Sequence, residues 1–401
     1  MTAHVRPPGP VDAVVAGGGP AGAVAAFVLA SAGRRVLLLD DSGPSSPHTG
    51  HDAFKIGESL PPAARPLLRD LGLLDGFLAA GHPESTGTYA AWGSATLQGQ
   101  SHLFDPYGHG WHLDRLRFDA FLRDAAVAAG AELRRATVLE RLGGRLVVRG
   151  RDSGAVTELH TRWTVDATGR RCAIGRRYGR RHRQDGLVAA YAVFRERRPA
   201  GREHAEDREA RTLVEAASHG WWYTTRVPAG RLVAHLTDPD LADPALRTPQ
   251  GFWRGITGTD HVRHRLEGYD PVSTPLPRWA PAHGLRLTPA ADPGWLAAGD
   301  AALAFDPLSS QGILTALHTG ARAGRTVAAC LADAGRTAAA LADYKAFLDG
   351  VAAAYHRNHA YAYDMEWRWP LSPFWQRRRR GGAAPPGIAW KSPTTPPWGQ
   401  P

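Results

Sequence analysis

Six residues near the start of the chain carry its densest chemistry: Gly17-Gly18-Gly19-Pro20-Ala21-Gly22. Their G-x-G-x-x-G spacing suits a dinucleotide pyrophosphate. Gly17 permits a tight turn, Gly19 lets the backbone approach the phosphates, and Gly22 allows a helix to pack closely on a strand. Pro20 and Ala21 lie at the helix start, where unpaired N–H groups and the positive dipole end meet the anion. Asp40 stands 18 residues beyond Gly22, placed to accept from a ribose hydroxyl. The elements that must hold these residues are legible around them. Val11–Ala16 reads as a buried strand, and an alanine-rich helix runs to Ser31 with Gly33 as its stop. A second strand over 35–39 closes on Asp40. Strand, turn, helix, strand and acid together specify dinucleotide binding much more sharply than the glycines alone.

Other candidates lie further along. A short apolar strand, 295–298, ends in Gly299-Asp300; Asp306-Pro307 then fixes a turn ahead of Gly312, Ile313 and a helix to about Leu331. His109, His112 and Asp114 form H-x-x-H-x-D without a convincing third ligand, so no metal site is expected there or elsewhere. His112 is retained as a candidate acid/base group. Trp221, Trp222 and Tyr223 sit in a hairpin over 211–218, 222–227 and 231–237, where they line a cavity or fill a core. Cys172 and Cys330 are 158 positions apart, the wrong spacing for a zinc site and too few for a disulfide framework; buried, inert thiols are the expectation.

Taken in order, four segments resemble FAD-dependent monooxygenases with the p-hydroxybenzoate hydroxylase fold, in particular the branch containing flavin-dependent halogenases. They are the glycine fingerprint, Ile56-Gly57-Glu58-Ser59-Leu60, Val165-Asp166-Ala167-Thr168-Gly169, and the stretch from Gly299-Asp300 through Asp306-Pro307 to Gly312-Ile313. The resemblance implies FAD as the cofactor. It assigns Asp300 to the ribitol chain and the turn at Pro307, Gly312 and Ile313 to the pyrimidine end of the isoalloxazine. Backbone N–H groups there would stabilise negative charge on reduced flavin. It also favours Arg115 over Arg117, both near the start of a helix over 116–130, as an FAD contact.

The sequence departs from halogenases at two places. The stretch 86–94 holds no lysine, Lys55 precedes the Gly-Glu segment instead of following it, and Gly220-Trp221-Trp222 through Pro228 lacks the halogenase spacing. Several strings instead look like the flavoproteins that mature tryptophylquinone cofactors: 89–94, 105–115, 220–223, 367–370 and Phe374-Trp375. That resemblance implies hydroxylation of an electron-rich aromatic, such as tryptophan in a partner protein, through a flavin C4a-hydroperoxide. With one fingerprint only, electrons must come from transient NAD(P)H or a separate flavin reductase. The alternatives are a flavin-dependent halogenase and an FAD-dependent reductase of an isoprenoid-type double bond.

The implied fold is α/β: a Rossmann-like FAD-binding domain interleaved with a mainly antiparallel substrate domain, followed by C-terminal helices. The expected division is a disordered 1–9, a nucleotide domain of 10–85, 112–185 and 285–345, and a substrate domain of 86–111 and 186–284. A helical segment, 346–376, and a disordered basic tail, 377–401, complete it. The 401 residues carry a net charge of +10, which first suggests an acidic partner. The charge is local, however: residues 170–183 hold seven arginines and no acid, and residues 368–401 five arginines and one lysine with no acid. These two segments are the expected docking sites for a partner protein. Nucleic acid is not expected, since stacking aromatics are not interleaved with the arginines. Glycines interrupt the apolar stretch 14–32, so no membrane span or leader is expected and the cytoplasm is the expected compartment.

Overall fold

The computed structural model describes residues 11–41, 54–195, 207–269 and 274–379. Its nucleotide-side sheet places Val11–Ala16 between Val36–Asp40 and Val156–Asp166, all parallel, with Trp295–Ala297 parallel beyond Val156–Asp166. Glu132–Leu142 lies parallel to Val36–Asp40 on the other side. The central strand is apolar on both faces because both are covered. Ala13 and Val15 face a helical layer, while Val14 and Ala16 pack against Ala136, Val138, Leu146 and Leu159. The latter come from a meander that Glu132–Leu142, Arg145–Gly150 and Val156–Asp166 form by continuing beyond the parallel sheet.

The helical layer explains the glycines. Pro20–Ser31 is buried along most of its length. Gly312–Ala332 crosses it so closely that a Cβ on Gly320 would stand 2.3 Å from the Ala21 carbonyl oxygen. Arg115–Ala128 packs on the same helix, capped by Asp114, whose side chain accepts from Leu116 and Arg117 N–H.

A second, seven-stranded sheet forms the far wall. Its order is Arg278–Pro281, Val188–Phe194, Gly230–Thr237, Gly220–Val227, Thr212–Ala217, Gly87–Ala91 and Gln98–Ser101. Only the pairing of Thr212–Ala217 with Gly87–Ala91 is parallel among its described contacts. Alternation decides which aromatics face where. Trp221 and Tyr223 join Val214, Ala234 and Leu236 on one face; Trp222 joins Leu213, Val233, Phe252 and Ile256 on the other. Architecture and fold class therefore match the expectation: a Rossmann-like α/β unit, a mainly antiparallel sheet and C-terminal helices.

The C-terminal region differs from the sequence reading in two ways. The boundary at 345/346 falls inside one unbroken helix, Thr337–Asp364. The basic tail does not begin at 377. Arg378 is buried and pairs with Asp238 at 2.6 and 3.0 Å, and Arg377 bridges Asp238 and Asp240 at 2.9 and 2.6 Å. Arginines read as free charge are thus neutralised by acids 137 to 140 positions away, which no local pattern reveals. Residues 1–9 and 380–401 lie outside the described residues. Among the described residues, no helix is long and apolar enough to cross a membrane.

Candidate functional site

One cavity of about 520 Å³ runs from the glycine fingerprint to the antiparallel wall. Gly17, Gly19, Pro20, Ala21, Asp40, Arg115, Asp300, Pro307, Gly312 and Ile313 all line it, together with Glu58, Arg170, Trp221 and Tyr223. Of the residues given a cofactor or catalytic role from sequence, Gly22, Gly299 and His112 are not on its surface.

The nucleotide end is shaped by steric necessity. Gly17 has φ +102°, and a Cβ there would lie 2.3 Å from the Ala167 carbonyl oxygen. That oxygen is held in place because Asp166 ties down its own loop, accepting from Thr168, Ile174 and Gly175 N–H at 3.0, 2.9 and 2.7 Å. Gly22 supports the turn from behind; a Cβ there would meet the Gly17 carbonyl oxygen at 1.8 Å. Gly19 is different, since a Cβ would meet nothing within 4 Å. It faces open cavity, at the start of a helix that has no side-chain cap and no acid in its first turn. Unfilled N–H groups beside empty space fit a pyrophosphate.

The second helix start repeats the pattern. Gly312–Ala332 lacks a side-chain cap, and a Cβ on Gly312 would also meet nothing within 4 Å. Asp306 organises the turn before it, accepting from Leu308 N–H at 2.9 Å while Ser310 takes a left-handed φ of 50°. Asp306 is fully buried; its Oδ2 accepts the Tyr363 hydroxyl at 2.7 Å and lies 3.3 Å from His359 Nε2. Burial alone would raise this carboxyl. The His359 ring, the Leu308 N–H and the Tyr363 hydroxyl together hold it below its ordinary value. Asp185 lies nearby, raised by burial and by the charge of Asp306. Asp185, Asp306 and His359 bring ligand-type atoms within 4.8 Å of one another. A cation there would displace hydrogen bonds Asp306 already accepts, so the arrangement reads as a hydrogen-bond hub.

Charged groups flank the cradle. Asp40 Oδ2 lies 3.3 Å from Arg123 Nη1, an ion pair at the position proposed for the ribose. Arg115 donates to Asp119 at 3.1 and 3.2 Å and to the Gly57 carbonyl at 2.8 Å. Lys55 Nζ sits 2.6 Å from the same Asp119. Asp300 is half-buried beside Arg170 at 3.5 Å; burial raises it against the pull of that guanidinium. Gly299, at φ +59°, turns the chain into Asp300 and donates its N–H to Thr319 at 2.9 Å.

The structure corrects the reading of His112. Its ring is fully buried between Gly110–His112 and the second sheet, with Nε2 2.8 Å from the Ala210 carbonyl and Nδ1 3.2 Å from Thr225 Oγ1. Burial pushes its pKa down to about 4, so it is neutral at physiological pH. A ring packed away from the cavity does not serve as its acid or base. Glu58 is the group that sequence reasoning passed over. It is buried, lines the cavity, accepts from Gly57 N–H at 3.1 Å and is raised by burial. The Gly-Glu-Ser segment named it without giving it a role. Asp306's partners were also missed, although His359 and Tyr363 share a helix face at i, i+4.

Comparison with known proteins agrees with this geometry. A family model described as FAD binding domain matches residues 10–358. A putative FAD-dependent oxidoreductase, LodB, of Marinomonas mediterranea is 28% identical over 382 residues, covering 92% of this chain and 96% of that protein. Among solved structures, the myxobacterial chondrochloren halogenase CndH is 25% identical with a TM-score of 0.80, covering 92% of this chain and 86% of that one. The peptidyl tryptophan dihydroxylase QhpG is 22% identical with a TM-score of 0.72, covering 92% and 78%.

Proposed function

Because the chain belongs to the FAD binding domain family, a FAD-dependent oxidoreductase of the halogenase and monooxygenase superfamily, we propose that it hydroxylates an electron-rich aromatic. The substrate class we infer is a tryptophan side chain in a partner protein. One observation carries the choice of hydroxylation over halogenation. Among the described residues, Lys55 is the one lysine on the cavity surface, and its ammonium is bound by Asp119 beside Arg115. Among the described residues, no free ammonium faces Trp221 and Tyr223 to handle a hypohalous acid.

In this reading the flavin supplies the activation of O₂, and the protein supplies position and exclusion of water. The backbone at Gly17 and Gly19 and the helix start at Pro20 and Ala21 hold the pyrophosphate, with Gly22 packed behind. Asp40 would hold the ribose, Asp300 the ribitol, and Arg115 would add a further contact to the cofactor. Pro307 would fix the turn that brings the N–H groups of Gly312 and Ile313 to the pyrimidine edge. Electrons come from NAD(P)H or a separate flavin reductase.

Among the described residues, the partner reading favours one surface. Arg368, Arg377 and Arg378 are engaged by Glu366, Asp238 and Asp240, whereas Arg176, Arg180, Arg181 and Arg183 are exposed. An acidic partner protein would dock on the latter.

The test is turnover of the reduced flavoprotein with a tryptophan-containing partner or peptide, in air, with bromide and chloride present. Addition of oxygen to the indole, stopped by removing O₂, is the expected result. Halogenated product that disappears in Lys55→Ala would overturn it in favour of the halogenase. Turnover without O₂ would favour the double-bond reductase.

A further inference from the structure

The aromatic residues behind the cavity form a path and not only a core. Trp221 lines the cavity and is 1% exposed. Its ring centroid lies 6.3 Å from Trp92, Trp92 lies 5.3 Å from Trp375, and Trp375 lies 5.9 Å from Trp369 in a stacked pair. The first three rings are sealed from solvent, while Trp369 is only partly buried. Four indoles thus connect the cavity wall with the surface at ring-contact distances throughout. Tyr363 sits beside the path, 5.8 Å from both Trp92 and Trp375, and accepts the Trp221 Nε1–H at 3.1 Å.

A hydrophobic core alone does not call for this composition. The aromatic cluster on the nucleotide side is built around Phe77 and Phe118, with Trp111 as its one indole among the described residues. On the path every ring is an easily oxidised indole, flanked by a phenol. The hydrogen bonds suit electron transfer as well. Trp92 and Trp375 donate to the Ala362 and Ala217 carbonyls at 2.7 and 3.0 Å, acceptors too weakly basic to take the indole proton. Tyr363 instead donates to the ionised Asp306 at 2.7 Å, a base able to receive a phenol proton when the ring is oxidised. The Arg368 guanidinium lies 4.4 Å from the Trp369 ring, its charge matched by Glu366 at 2.6 Å.

We propose that Trp221, Trp92, Trp375 and Trp369, with Tyr363 alongside, form a hole-transfer path that carries oxidising equivalents from the flavin cavity to the protein surface. Trp221 loses one electron to a light-excited oxidised flavin, which is reduced by that electron. Trp92 refills Trp221, Trp375 refills Trp92, and Trp369 refills Trp375, so the vacancy moves outward. A soluble one-electron donor, ascorbate or a thiolate, reduces Trp369 and leaves oxidised. When Tyr363 supplies the electron, its proton moves to Asp306 Oδ2 and returns when the phenol is reduced again. The path rests on flavin binding but not on the hydroxylase reading.

The experiment is flash photolysis of the purified, FAD-loaded protein, with flavin occupancy confirmed first by its visible absorbance. Blue excitation should produce the absorption of an indole radical whose decay is accelerated by added ascorbate. Trp369→Phe should remove most of the ascorbate sensitivity, and Trp92→Phe combined with Tyr363→Phe, which also closes the route through the phenol, should remove most of the long-lived radical by confining the hole to Trp221. Trp111→Phe, in the other cluster, should change neither. Absence of an indole radical in the FAD-loaded wild type overturns the proposal, as do unchanged yield and ascorbate response in Trp369→Phe. Because Trp369 is half-buried, that variant decides the matter even if the double variant fails to fold.

Discussion

The hydroxyl of Tyr363 donates to Asp306 Oδ2 at 2.7 Å, tying the C-terminal helix Thr337–Asp364 to the turn that begins Gly312–Ala332. Fifty-seven residues separate the pair, and both side chains are fully buried. The turn before Gly312, proposed to face the flavin, is therefore held by a residue from the C-terminal helix. Tyr363→Phe leaves a buried carboxylate short of one donor and should cost about 1.5–3 kcal/mol in denaturant-midpoint stability. FAD retention on dialysis should fall with it.

Two glycines in the fingerprint should respond differently to the same added methyl group. Gly19→Ala places a Cβ in open cavity and should fold normally, with FAD affinity reduced by about tenfold or more, ~1.4 kcal/mol. Gly17→Ala adds a clash with the Ala167 carbonyl at a positive φ and should lower the melting temperature of the apoprotein itself. Calorimetry of apoprotein alongside flavin titration separates the two effects.

Arg378 and Asp238 are each 3% exposed and joined by two hydrogen bonds. Arg378→Ala removes two charge-assisted hydrogen bonds and leaves Asp238 with Arg377 at 2.9 Å as its remaining guanidinium partner, so it should destabilise the protein by about 1.5–3 kcal/mol, read from urea unfolding. The same change at exposed Arg180 should be nearly silent in that measurement.

Acid should weaken the fold through its buried histidines. His112, His283 and His318 are each depressed from 6.5 to about 4 by burial, and His235 to about 3. Their neutral forms are favoured in the folded state, so between about pH 6.5 and 4 the unfolded chain binds more protons. Stability is full above the unfolded value and is lost as pH falls through that window, by up to about 1.4 kcal/mol per pH unit for each of the buried His112 and His235 rings and by less for the partly exposed His283 and His318. Thermal melts across pH 7.5 to 4 should show the decline, and His112→Gln should reduce its slope.

Much of the site was local enough to read along the chain. The fingerprint, its flanking strands and Asp40 lie within 30 residues, where spacing and periodicity alone specify strand, turn and helix. The same holds for Gly299-Asp300 and the turn at Pro307. Period-two alternation could have separated Trp221 and Tyr223 from Trp222, but only the assembled sheet says which face meets the cavity.

Long-range pairing was not legible. Arg378 looks like tail charge until Asp238 is beside it, and Lys55 looks like a displaced halogenase lysine until Asp119 is seen to hold it. His112 looks like an acid/base candidate until its ring is found buried against Ala210 and Thr225. By itself the sequence determined the chemistry that backbone conformation encodes: a dinucleotide cradle, its helix starts and the α/β class. The tertiary structure decided which charges are spent on each other, which aromatics face the cavity and which titratable groups are silent. Those depend on burial and on partners distant in the chain, and burial is a property of the assembled layers and not of any segment.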